Sequence, residues 1–253
     1  MKTEKEIIFN YHNWENLLWK YYFKIFNDVD YTITDGVVDP ALYAKCPFRA
    51  MSLNREPWDD DEYSLNEALY NGIIDGSGVW IKQANLRKHL RQYFAVIKLC
   101  VDSKSFTLDE SQVKDYVERT TEDDFLQMLP NTAYLNVKKS DGKGVSVKSD
   151  LKDYAQRGIE ILKEQIRFMN PSIILSGNIV DGILGQIPLE WGENLYTKKG
   201  IINIFQIKID DKLYPFVDMK HPSAWVGMKD YYIGCPVRCS EKQRLKSPVE
   251  LLI

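Results

Sequence analysis

The sequence predicts an α/β protein, a three-layer α/β/α arrangement around a mostly parallel central sheet. Three observations predict it. Short apolar runs alternate along the chain with amphipathic stretches of helical period. One run, "SIILSG", is continuously apolar and ends at Gly177, which suits a strand covered on both faces. The 253 residues contain no internal repeat, low-complexity tract or Gly/Ser/Pro linker, so they read as one domain large enough to bury a sizeable core.

The elements follow in chain order. Trp14, Leu17, Leu18, Tyr21, Tyr22, Ile25 and Phe26 recur near helical spacing, with Asn13 as the expected cap. Residues 1–45 read as an N-terminal helical extension, and 46–253 as the α/β core. A first strand is expected in 48–54. Leu86, Leu90, Phe94 and Ile97 mark a helix over 84–100, and Thr107 with Glu110 has capping-box spacing ahead of another. Strand-like runs recur at 132–138, 171–177, 201–209 and 213–219. Ser149 or Asp150 starts a long helix that stops before Pro171, because the residue ahead of a proline avoids helical backbone.

Composition removes several function classes. A formal net charge of −3 gives no global electrostatic signature for nucleic acid, so any DNA-binding face must be local. No stretch approaches the ~20 apolar residues of a membrane span. The start lacks the pattern of a secretory leader, and a cytoplasmic, monomeric protein is expected. Of the four cysteines only Cys235 and Cys239 lie close together, without a second pair, so reduced thiols and no metal are expected. "KSDGKG" lacks the spacing of a phosphate-binding loop.

In parallel sheets the ligand crevice lies outside the carboxyl ends of the strands. Three of the apolar runs end there on polar residues: Asn54 after "AMSL", Asn136 after "AYL", and His221 after "FVDMK". Taken singly, each asparagine also suits a turn and the histidine a loop before proline. Taken in order, they resemble the uracil-DNA glycosylase superfamily, in the branch whose first motif carries asparagine. "SLNREPW" (52–58) is similar to that motif, "AYLNVKK" (133–139) to the strand whose asparagine reads the base, and His221-Pro222-Ser223 to the closing H-P-S motif. "IEILKEQIRFMNPSIILSGN" (159–178) resembles the helix and strand between the last two, and "GSGVWIKQANLRKHL" (76–90) resembles the segment bearing a base-stacking aromatic. The resemblance spans roughly residues 48–228. Ser52 stands where the family has Gly and Arg55 where this branch has Pro, and the acidic run Asp59–Glu62 follows.

The resemblance implies a glycosylase fold and base excision without metal or cofactor. The substrate is single- or double-stranded DNA carrying uracil or a related deaminated base. His221 would stabilise the departing base and Asn54 would position water. Asn136 would read the base edge. Trp80 would stack on the base, or else pack in the core. Ser223 would contact phosphate, and Trp225 and Met228 would wedge into the gap left by the flipped nucleotide, or line the pocket. Lys138, Lys139 and Lys143, with Lys148, form a basic cluster read as phosphate-contacting or as a solvated face. Two other readings stay open: a protein of this fold that binds DNA or a base without cleaving it, and an enzyme acting on free nucleosides or another small ligand.

Overall fold

The computed structural model describes residues 3–29, 32–46, 49–57, 63–74, 119, 121, 124, 127, 129–140, 146–177, 179–180, 183–186, 189–198 and 202–219. Helix α1 spans Glu4–Ile25. It starts well ahead of Asn13 because Thr3 and Glu6 close a capping box, each side chain taking the other's backbone N–H. Its buried stripe is Tyr11, Leu18, Trp19 and Tyr22. Strand β1 (Gly36–Val37) and helix α2 (Pro40–Lys45) follow, then β2 (Ala50–Asn54), α3 (Leu65–Ile74) and β3 (Thr132–Asn136). Helices α4 (Lys148–Arg157) and α5 (Ile159–Met169) lead to β4 (Ile173–Gly177). The sheet ends with β5 (Glu190–Lys198), β6 (Ile202–Ile209) and β7 (Lys212–Met219).

Among the described residues seven strands form one mixed sheet in the order β1-β3-β2-β4-β7-β6-β5. Its centre, β3-β2-β4-β7, is parallel, while β1, β6 and β5 add antiparallel edges. Central β4 pairs with β2 and β7, and Ile174 and Leu175 on its two faces are both buried, as its unbroken apolar run predicts. Met51, Leu53, Ala133, Leu135, Ile174 and Phe216 meet Tyr11, Leu151, Leu162 and Ile166 in one core, so α1, α4 and α5 cover the same face.

Within 1–45, helix α1 and strand β1 pack against this core and sheet. Strand β1 joins the sheet, and the Tyr11 hydroxyl accepts the Val37 N–H at 3.0 Å. A Cβ on Gly36 would collide with that hydroxyl, so glycine here lets α1 approach the sheet edge. The expected long helix before Pro171 is broken at Gly158, where a Cβ would sit 2.9 Å from the Tyr154 carbonyl and 3.4 Å from the Phe26 ring. Phe26 fills that notch, with its ring 5.0 Å from Tyr154 and 4.5 Å from Tyr22.

Buried tyrosines give this core a pH signature. Burial pushes the hydroxyls of Tyr11, Tyr22, Tyr43 and Tyr134 well above the usual tyrosine range. An unfolded tyrosine ionises near pH 10 while these stay protonated when folded, so above about pH 10 the folded state holds more protons and loses stability as pH rises. Lys139 and Lys212 act in the opposite sense, because burial lowers their pKa, but they are two groups against four. In an alkaline titration, phenolate absorbance from these four tyrosines is expected to appear together with loss of the folded circular-dichroism signal. Full ionisation with the fold intact would contradict this.

Candidate functional site at the carboxyl edge of the sheet

The parallel strands, counted in chain order, lie as second, first, third and fourth. The direction of winding therefore reverses between β2 and β4, the position where open α/β sheets form a crevice outside their carboxyl ends. Asn54 closes β2 and Asn136 closes β3, and the two are register partners on adjacent parallel strands. Register partners of a parallel pair share a face, so both asparagines follow Ser52 and Tyr134 on the face opposite Leu53 and Leu135. Strand β7 ends at Met219 beside Gly177 on this same edge.

Asn54 is half-buried. Its amide donates to the Leu135 carbonyl and its oxygen accepts from the Ser52 hydroxyl, both at 3.4 Å and therefore weakly. Asn136 is only 3% exposed, yet its side-chain Nδ2 has no hydrogen-bond partner. A buried amide donor without an acceptor costs free energy, and such groups are rare enough to need a reason. The backbone of Asn136 is by contrast fully engaged. Its N–H donates to Asp35 Oδ2 at 2.7 Å, and its carbonyl accepts from Lys139 Nζ at 2.8 Å.

Asp35 organises this strand end. Its carboxylate also accepts from Lys139 Nζ at 2.5 Å and from Gln165 Nε2 on α5 at 2.9 Å. The bracket ties β1, β3, α5 and the chain after β3 together beside Asn136. Burial holds the Lys139 ammonium below the usual lysine range, opposed by the adjacent Asp35 charge. Below this network Tyr22, Phe26, Tyr154, Leu162 and Lys139 line a cavity with room for about one water molecule, against the backbone end of β3.

Lys138 and Lys139, expected to contact phosphate from a basic surface, are 2% and 3% exposed. Lys139 is consumed by Asp35, and Lys138 lies 3.9 Å from Glu56 Oε2 and 5.3 Å over the Tyr154 ring. Both turn into the protein because buried carboxylates and aromatic faces receive their ammonium groups. Lys148, the first residue of α4, is exposed. His221, Trp80, Ser223, Trp225, Met228 and Lys143 lie outside the described residues.

Three carboxylates near this edge carry no sequence signal that singles them out. Asp35 sits in an Asp-Gly pair that reads as a turn. Asp218, one residue before the end of β7, is buried and accepts from the Ser176 hydroxyl at 2.5 Å and from the backbone of Ile179 and Val180, which fixes the turn after β4. Glu56 follows Asn54 by two residues, and its side chain is 6% exposed. Among the described residues no cluster of three His, Cys, Asp or Glu side chains could hold a metal, and no helix is long and apolar enough to cross a membrane.

The edge thus offers a half-buried, weakly held amide at Asn54, an unfilled donor at Asn136, and a rigid bracket behind them. No family model, curated protein or solved structure matches the chain.

Proposed function

We propose that this chain is a DNA glycosylase that hydrolyses the N-glycosidic bond of uracil or a related deaminated base flipped out of DNA. One observation carries the reading. Asn54, on a strand that flanks the winding reversal, and Asn136, its register partner on the next strand, stand on the edge where β7 ends two residues before His221. The sequence order of the three polar strand ends, and their resemblance to the uracil-DNA glycosylase superfamily, support the same assignment.

In this reading the target nucleotide leaves the duplex, because its sugar carbon cannot be reached inside the stack. Asn136 reads the base edge: a side-chain amide offers a donor and an acceptor, the complement of uracil's adjacent carbonyl and N–H. Its unpartnered Nδ2 supports this role, since a base carbonyl would satisfy it. His221 donates to the base oxygen on which charge collects, and Asn54 holds the water. Trp80 stacks on the base, and Ser223, Trp225, Met228 and Lys143 engage the strand. No metal or cofactor enters the reaction.

A second reading, binding of DNA or a nucleobase without cleavage, is favoured by the amide at Asn54, which cannot take a proton from water. Incubation with single- and double-stranded oligonucleotides carrying uracil, hypoxanthine or xanthine, followed by alkaline treatment, separates the two. Strand scission at the modified position is expected. Salt-sensitive binding without scission would favour the second reading. Turnover of free nucleosides alone would overturn both.

A further inference from the structure

Glu56 lies where the chain leaves β2 over the carboxyl edge. The backbone holds it there, with the Asn54 carbonyl accepting from Val137 N–H and the Arg55 carbonyl from Lys138 N–H, each at 2.9 Å. Its side chain is 6% exposed. One carboxylate oxygen, Oε2, faces the Lys138 ammonium at 3.9 Å, longer than a hydrogen bond. The other, Oε1, is buried with no hydrogen-bond partner. A carboxylate accepts through both oxygens, and leaving one dry and unfilled is costly. The same edge carries the unfilled donor of Asn136, so a buried acceptor just past the end of β2 and a buried donor at the end of β3 both lack partners.

We propose that Glu56 is the proton acceptor of the hydrolysis, a role that rests on the glycosylase reading. Water held by the Asn54 amide gives one proton to Glu56 Oε1 as its oxygen bonds to the sugar C1′. The bond from C1′ to the base nitrogen breaks, and its electron pair leaves with the base. The resulting base anion later takes a proton, returning Glu56 to its carboxylate, so that water and nucleotide yield an abasic sugar and a free base. Lys138 supplies the counter-charge that keeps the buried carboxylate in place. This fills the chemical gap at Asn54, whose amide orients water but cannot accept its proton.

The test is single-turnover release of base from a uracil-containing oligonucleotide by the full chain, comparing wild type with Glu56→Gln, Glu56→Ala and the surface control Glu190→Gln. Glu56→Gln preserves shape and is expected to lower the rate by about 10²-fold or more with oligonucleotide affinity retained, as for loss of a general base. Added formate, a small external carboxylate, is expected to restore part of the Glu56→Ala rate in proportion to its concentration. A wild-type rate in Glu56→Gln would overturn the proposal. So would loss of activity that tracks loss of the folded signal and is not relieved by formate, which would make Glu56 only a counter-ion to Lys138. If wild type releases no base from any substrate, the glycosylase reading itself fails, and this proposal with it.

Discussion

Replacing Asp35 with alanine is expected to destabilise the protein by about 3–5 kcal/mol, the cost of removing one partner from a buried ion pair. Asp35 and Lys139 have side chains 0% and 4% exposed, so neither charge can fall back on solvent when the other is gone. The loss is larger than a simple pair, because the same carboxylate receives the Asn136 backbone N–H and the Gln165 amide. Three donors would be left facing an apolar gap. With domains of this kind stable by only about 5–15 kcal/mol, the variant stands close to unfolding at physiological temperature. Urea unfolding monitored by tryptophan fluorescence measures it, as a lower midpoint at similar slope. The double change Asp35→Leu with Lys139→Met is expected to recover much of the loss, since a packed apolar pair often matches a buried ionic one. A change below about 1 kcal/mol in Asp35→Ala, the range of a surface pair, would mean that the bracket is solvated in solution.

On the proposed glycosylase reading, His221→Ala is expected to lower the rate of base release. A base leaving from deoxyribose departs with negative charge, and a donor already aimed at its oxygen stabilises the transition state more than the ground state. A neutral imidazole is sufficient, and it avoids burying a second charge. Removing one such donor is expected to lower kcat by about 10²–10³-fold, with KM little changed. Single-turnover and steady-state rates on the same oligonucleotide separate the two parameters. A raised KM at unchanged kcat would reassign His221 to binding.

Much of the sheet is legible in the sequence, for reasons visible in particular residues. Strands β2, β3, β4, β6 and β7 coincide with the apolar runs because each buries side chains against neighbours on a central or near-central position. Strand β5 escapes, since "EWGENLYTK" is polar and bulged, and anchors itself through Trp191 on Phe205 and Phe216 at the sheet's edge. Strand β1 is only two residues long and has no period to read. The break at Gly158 comes from Phe26, which arrives from more than a hundred residues away, and no local pattern reports such a partner.

Of the candidate site, the strand-end placement of Asn54 and Asn136 is legible in the sequence, and the residues packed behind them are not. Asn54 and Asn136 were marked by their place after apolar runs, and their pairing follows from the parallel register. Asp35 was hidden, because Asp-Gly is ordinarily a turn and its partners Asn136, Lys139 and Gln165 lie 101 to 130 positions away. Lys138 and Lys139 invited a surface reading because lysine is seldom fully buried unless paired. Their partners, Glu56 and Asp35, are what sequence alone conceals.

Product balance from a uracil-containing duplex and its single-stranded form separates base excision from binding alone. Free base is quantified by chromatography and abasic sites by alkaline cleavage, with wild type and His221→Ala in parallel. Wild type is expected to release free base and abasic sites in equal amounts, and His221→Ala to release both at least about a hundredfold more slowly. Wild type that binds these strands, or hypoxanthine- and xanthine-bearing ones, without releasing any base would contradict the glycosylase reading.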